Sequence, residues 1–299
     1  MSTWYQMHER GAGRLRIEFL WMIYKLFGIN FLKFVVKIIS GTIAIFAPKV
    51  RQQSIRYRKI LNEYQQKQNL SLSKFTPLAH ICNFACSVVD KISAICDTKT
   101  PLEFDMYNNS DMQRLQKMLD DNKGVFFISS HLGNIETLSA MPAGQNKRMN
   151  AFMNVGQNQV FREFVAKKAK YTNTIIHPTE NIGVAVAGNM YDAIKRGELV
   201  LMAGDRISPT APDKVINVKI LNHNCALPIG VFRFARACDC PVFAVVNIKT
   251  EKLKYRMFVK QLNTSSIDIM VQEYAKFIEE MMLKYPEQWF NFFDFFGNN

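Results

Sequence analysis

Apolar residues recur at helical spacing through the first third of the chain, from residue 17 to about residue 120, and strand signals there are few. Within that stretch residues 54–68 read as a charged helix and residues 78–95 as an apolar one. After Asn122-Lys123-Gly124 the texture changes. Short β-rich runs follow at residues 125–129, 151–155, 174–177, 199–203, 215–221 and 241–248, and helical stretches at 160–170, 182–195 and 229–237 lie between several of them. Strands alternating with helices predict an α/β fold: a central mixed, mostly parallel sheet flanked by helices. The tail at residues 267–296 reads as a helix broken by Pro286, ending in the aromatic cluster Trp289, Phe290, Phe292, Phe293, Phe295 and Phe296. No repeat or linker interrupts the pattern. The expected organisation is a helical N-terminal region over residues 1–120 and one integrated α/β core over residues 121–299.

Composition sharpens the picture at the N-terminal end. With 299 residues and 48% hydrophobic content, disorder is excluded as the main state, and 23 Phe with 15 Met make a heavy apolar load. The net charge of +13 is uneven: residues 1–60 hold eleven Lys/Arg against two acids, a net of +9. Basic residues interleaved with bulky aliphatics suit an anionic bilayer surface, where each cation adds about 1 kcal/mol. Nucleic acid is the rival partner for such charge, but no nucleic-acid motif accompanies it. A spanning helix needs ~20 consecutive apolar residues, and Lys25, Lys33 and Lys37 interrupt the run at 17–48. The longest uncharged piece, residues 38–48, is short, and no small-residue cleavage site marks a signal peptide. The expectation is one or two amphipathic helices lying in the membrane interface. The alternatives are a spanning helix and an ordinary helix packed on the core.

Six cysteines (Cys82, Cys86, Cys96, Cys225, Cys238, Cys240) are scattered without a Cys-x-x-Cys pair, which reads as reduced thiols. His80 with Cys82 and Cys86, or His223 with Cys225, do not supply four ligands at zinc-like spacing, so no metal is expected.

The segment best suited to chemistry is Ser129-Ser130-His131-Leu132-Gly133-Asn134-Ile135-Glu136, where an apolar strand runs into a histidine and then a carboxylate. Residues five apart on one helix would face different ways. The spacing therefore predicts His131 in the turn before a helix, with Glu136 reaching back to the imidazole from the first helical turn and Gly133 permitting the bend. One ring nitrogen would be held and the other left to take a proton, as a general base requires. No Gly-x-Ser-x-Gly elbow or lone activated Cys offers a nucleophile, and nothing beyond proximity marks Ser129 or Ser130. Direct attack by a substrate hydroxyl activated by His131 is the economical chemistry. Asn134 suits either an oxyanion donor or the first turn of a helix. Ala203-Gly204-Asp205-Arg206 again follows a strand, so Asp205 and Arg206 should emerge on the same rim as His131, Arg206 offering a fork for phosphate or carboxylate and Asp205 orienting it. A buried structural ion pair is the alternative for these two. Arg162 faces either an acidic headgroup or water, and His177 at a strand end reads as structural.

These blocks, in this order, resemble the bacterial lipid A biosynthesis (late) acyltransferase family of the lysophospholipid acyltransferase superfamily. The resemblance runs over nearly the whole chain: Trp4, Glu9-Arg10-Gly11, Pro48-Lys49-Val50-Arg51, His131 to Glu136, Gly204-Asp205-Arg206, Leu227-Pro228-Ile229-Gly230 with Phe232 and Ala235, and Tyr285-Pro286-Glu287-Gln288-Trp289. It implies an enzyme on the cytoplasmic face of the cell inner membrane that moves a fatty acyl chain from acyl carrier protein, or coenzyme A, to a hydroxyl of a lipid or glycolipid. It needs no cofactor beyond that thioester. His131 would be the base, Glu136 its partner, Asp205 and Arg206 part of the substrate rim, and Pro228 and Gly230 part of the site's shape. Where members often carry paired arginines this chain has Lys167, Lys168 and Lys170, so Lys168 would meet an acidic headgroup. That difference, and Asp-Arg at 205–206, resemble divergent members acting on other glycolipids, aryl polyene lipids or amino-acid lipids. The contrasting expectation is a membrane-surface scaffold that keeps the fold without the chemistry.

Overall fold

The computed structural model describes residues 14–97, 102–140, 147–154, 163–164, 167–168, 173–179 and 182–297. The blocks at Trp4 and Glu9-Arg10-Gly11, Arg162 and most of the helix expected at 160–170 lie outside these residues. The fold is the α/β arrangement that the alternating pattern predicts. Three helices, α1 (Arg14–Phe46), α2 (Pro48–Lys67) and α3 (Pro77–Cys96), precede β1 (Glu103–Met106), α4 (Ser110–Asp120) and β2 (Val125–Gly133). A 3-10 turn at Ile135–Ala140 leads to β3 (Met149–Met153) and β4 (Thr174–Pro178), then α5 (Val184–Lys195) and β5 (Leu199–Ala203). The hairpin β6 (Val215–Ile220) and β7 (His223–Pro228), α6 (Ile229–Ala237), β8 (Val242–Glu251), β9 (Lys254–Gln261) and α7 (Ile267–Lys284) complete it.

Seven strands form one sheet in the order β1-β9-β8-β2-β5-β3-β4, and only the β8–β9 pair is antiparallel. The central strands are buried on both faces, which is why they read as continuous apolar runs. Along β2 the side chains alternate: Phe126 and Ile128 enter the core shared with Phe232, Phe234 and Tyr274 of α6 and α7, while Val125 and Phe127 join Met112 and Leu115 of α4.

Three strands have weak sequence signals. β1 and β9 carry charged residues in alternation, as in Lys254-Tyr255-Arg256-Met257, because they lie towards one edge of the sheet. β7 is the return strand of a hairpin, and residues 215–221 looked like one strand because the turn contains an apolar residue. Leu221 and Asn222, at φ 52° and 62°, form that two-residue turn, a backbone shape matched to the twist of the flanking strands.

The tail departs from the expected helix after Lys284. Tyr285, which precedes Pro286, leaves helical geometry at φ −132°, ψ 56°. A 3-10 turn at Pro286–Gln288 follows, and the chain then runs alongside the end of β2. Leu132 bridges Trp289, and the Phe290 amide donates to the His131 carbonyl at 2.8 Å.

α1 packs one face on α3, with Tyr24 and Leu32 beside Val89 and Ala94. Two of the lysines expected to face lipid headgroups are instead engaged by α3. Lys33 is buried and ion-paired with Asp90, itself fully buried and also bonded by Lys249 Nζ at 2.8 Å and Tyr255 Oη at 2.7 Å, and Lys25 pairs with Asp97 at 3.3 Å. α1 is interrupted at Gly28 (φ 78°, ψ 177°), and Phe19, Leu26 and Phe27 before the break and Phe34 and Ile38 after it are exposed. Ile17–Phe46 contains an 18-residue window of mean hydropathy 1.8 and, like Pro77–Cys96, is by length and composition long and apolar enough to cross a membrane.

Candidate active site

The rim is built where β2 and β5 end. These parallel neighbours are in register from Val125↔Leu199 to Ser129↔Ala203, and His131 and Asp205 each lie two residues further on. His131 Nδ1 sits 2.9 Å from Asp205 Oδ1, and the His131 backbone amide donates to Oδ2 at 2.8 Å. Since a carboxylate only accepts, the neutral form of the ring carries its proton on Nδ1, which leaves the lone pair on Nε2. Asp205 is buried, while about a third of the His131 side chain (36%) reaches solvent. Burial alone would push the Asp205 carboxyl up. The charge and hydrogen bond of His131 and the charge of Arg206 outweigh that and hold it at about 2.

The carboxylate expected on the imidazole was that of Glu136; the one found there is that of Asp205. Glu136 does lie in the first turn after Gly133, as the spacing predicts, but that turn is a 3-10 helix and its carboxylate forms an ion pair with Lys91 of α3. Burial raises the Glu136 carboxyl, yet the Lys91 ammonium, aided by the charges of His131 and Arg206, brings it below its ordinary value. Glu136 thus meets the imidazole through its field rather than through a hydrogen bond.

Gly133 turns the chain as its sequence position suggests. It adopts φ 75°, and a Cβ there would stand 2.2 Å from the Asn247 carbonyl oxygen, so both conformation and space require glycine. Asn134 follows, buried, with its backbone amide on Asn247 O at 2.7 Å and its side-chain amide on Ser87 O of α3 at 2.7 Å. It ties the turn to α3. The end of β2 is held from the other side by the buried Tyr274 hydroxyl, which donates to Ser129 O at 2.8 Å beside the Gly204 amide on the same oxygen.

Arg206 does not bind Asp205 as expected. Its Nε donates to Asn291 Oδ1 at 2.9 Å and its Nη2 to Phe290 O at 3.3 Å, with the guanidinium 5.7 Å from the Phe293 ring centre. The Asn291 Nδ2 in turn donates to Asp205 Oδ2 at 2.7 Å. The structure therefore joins His131, Asp205, Asn291 and Arg206 in one chain of contacts, with Lys91 and Glu136 alongside. Lys168 is half-buried and its charge bears on the Cys96 thiol at the end of α3. His177 holds Asn150 Oδ1 through Nε2 at 3.0 Å, a contact within the sheet. Pro228 caps the start of α6, whose second residue is Gly230.

Asn291 and Lys91 carry no signal in the sequence: one sits among phenylalanines and the other on an apolar helix. Asp205 was visible as a rim residue, but its partner was not, because strand register decides the partner.

A family model described as bacterial lipid A biosynthesis acyltransferase matches residues 87–296, which include every residue of this rim. No curated protein matches the chain.

Proposed function

The chain belongs to the bacterial lipid A biosynthesis acyltransferase family and is an acyltransferase of the lipid A type; from that premise we propose that it moves a fatty acyl chain from a thioester of acyl carrier protein or coenzyme A to a hydroxyl of a lipid or glycolipid at the cytoplasmic face of the inner membrane. His131 acts as the general base. Its Nε2 takes the proton of the acceptor hydroxyl as that oxygen attacks the thioester carbonyl carbon. The tetrahedral intermediate then collapses with loss of the C–S bond, and the imidazolium returns the proton to the departing sulfur, so no acyl-enzyme forms. Asp205 fixes the tautomer that leaves Nε2 unprotonated and stabilises the imidazolium, a division of work general to histidine bases with a buried carboxylate. Glu136 adds a second negative charge near the imidazolium. Arg206, Lys168 and Arg162 supply positive charge for an acidic headgroup or the carrier's phosphate.

The observation that supports this reading best is the His131–Asp205 pair at the end of a central strand, with the ring partly exposed and the carboxylate buried. Outward-facing Phe19, Leu26, Phe27 and Phe34 support a membrane-surface location. The acceptor is a lipid other than lipid A, a reading supported by lysines at 167, 168 and 170 and by Asp205-Arg206. The test is mass spectrometry of lipid extracts from cells with and without the protein, and from cells carrying His131→Ala. A species heavier by one fatty acyl group, present only with the unsubstituted protein, supports the proposal. Identical extracts, or the same species with His131→Ala, overturn it.

A further inference from the structure

Asp205 and Arg206 are adjacent in the chain and opposite in charge, yet the hydrogen bonds that hold them go to a third side chain. Asn291, only 4% exposed, places its Nδ2 2.7 Å from Asp205 Oδ2 and its Oδ1 2.9 Å from Arg206 Nε. The amide orientation is fixed by chemistry, because the reverse would set oxygen against carboxylate and N–H against guanidinium. A carboxylate beside a guanidinium ordinarily forms a bidentate pair. Here that pair would draw Asp205 away from the imidazole, since Oδ1 takes His131 Nδ1 and Oδ2 takes the His131 backbone amide.

We propose that Asn291 is a positioning residue: a buried amide that separates Asp205 from Arg206 and so keeps the carboxylate committed to His131. It donates to one, accepts from the other and cancels neither charge. Arg206 is held away by the same tail segment, through Phe290 O and the Phe293 ring. Among the described residues, the other charged groups whose fields bear on this pair are Glu136 and, ion-paired with it, Lys91. A side chain that is apolar or too short to bridge lets the guanidinium close on Asp205, which leaves Nδ1 without its acceptor and the ring free to carry its proton on either nitrogen.

The claim rests on the proposed role of His131, but its main test needs no substrate. Nitrogen-15 NMR of the full chain in detergent, labelled at its five histidines, reports the tautomer of each neutral ring at about pH 8. His131 is assigned by the loss of its signals in His131→Gln. The unsubstituted protein should show Nδ1 protonated and Nε2 bare. In Asn291→Leu the His131 signals should move towards a mixture of tautomers, and in Asn291→Leu/Arg206→Leu they should return, because the competing cation is gone. Asn291→Ser, which is smaller and keeps a polar group, is read in the same way if the leucine variant does not fold. Acyl transfer should lose about 10- to 100-fold in kcat with KM for the thioester unchanged, by analogy with the loss seen when the partner that orients a metal-ligating histidine is removed. Folded Asn291 variants whose His131 signals match the unsubstituted protein overturn the proposal, whatever their turnover. An unsubstituted protein that transfers no acyl group, but shows the tautomer change, would instead count against the proposed function alone.

Discussion

His131 and Asp205 face each other because each is the second residue beyond one register pair, Ser129 and Ala203, of adjacent parallel strands. The pair is thus set by the sheet rather than by a loop. Ends of parallel strands deliver side chains to a common rim, and identical offsets put these two at hydrogen-bond distance without further adjustment.

The first prediction separates the two carboxylates. General-base assistance typically contributes about 10²–10⁴-fold, so His131→Ala should lose that much turnover and keep its fold, the ring being partly exposed. Asp205→Asn should approach the same loss, because an amide can present its N–H to Nδ1 and favour the wrong tautomer. Glu136→Gln should cost less, about tenfold, since Glu136 has no hydrogen bond to the ring and acts by charge. Steady-state kcat for the three variants, with circular dichroism as a fold check, decides it. Glu136→Gln as damaging as Asp205→Asn would return the partner's role to Glu136.

Gly133→Ala tests the turn that carries the site. An alanine there must adopt φ 75° and place its Cβ 2.2 Å from Asn247 O, a backbone atom of β8 that cannot swing aside. Positive φ alone costs a non-glycine residue about 1 kcal/mol, and the clash adds to it. The expected result is a melting temperature lower by several degrees and a kcat loss larger than that of Gly230→Ala, where a Cβ meets nothing within 4 Å.

Much of this arrangement was legible in the chain, and the exceptions share one cause. The apolar runs gave β2, β5 and β8 because strands buried on both faces need no polar alternation, and the residues at their ends marked the rim. His131, Gly133 and Asp205 were visible for that reason. Long-range partners were not. The choice of Asp205 over Glu136 depends on strand register, Asn291 reaches the site only because the tail doubles back along β2, and Lys33 reads as an interfacial cation until α3 brings Asp90 beneath it.

Acid should unfold the protein in a window set by His80. This ring joins three elements: Nε2 donates to Trp289 O at 2.7 Å, which leaves Nδ1 to accept from Ser54 Oγ at 2.9 Å. Burial, only partly offset by the Trp289 bond, pushes it from an ordinary 6.5 down to about 4. The folded state therefore binds fewer protons than the unfolded one between those values. Stability is complete above about 6.5 and is lost as pH falls towards 4, by on the order of 3 kcal/mol in all. Depressed Asp205 acts lower, between 3.8 and about 2. Denaturant midpoints at pH 7.5 and pH 5 should differ clearly, and the difference should shrink in His80→Gln. An equal difference in that variant would assign the acid sensitivity elsewhere.

Membrane attachment should depend on aromatic area more than on the basic excess near the N-terminus. Of the lysines in α1, Lys33 is buried against Asp90 and so withheld from anionic headgroups, and the half-exposed Lys25 is already paired with Asp97. By contrast Phe19, Leu26, Phe27 and Phe34 are between 56% and 68% exposed, on the two helical pieces that flank Gly28. Full burial of such a side chain is worth about 1.5–3 kcal/mol, and moving the exposed half of each into acyl chains gives about 1 kcal/mol apiece. Changing all four to Ser should weaken binding to phosphatidylglycerol-containing vesicles by about 10²–10³-fold, with a smaller effect on folding because more than half of each side chain is exposed and none belongs to the buried core. Raising salt to 0.5 M should weaken the unsubstituted protein less than this, since screening acts on exposed charges and leaves apolar transfer intact. Vesicle flotation measures both. Release by salt alone, with the four-residue variant still bound, would show that charge carries the attachment.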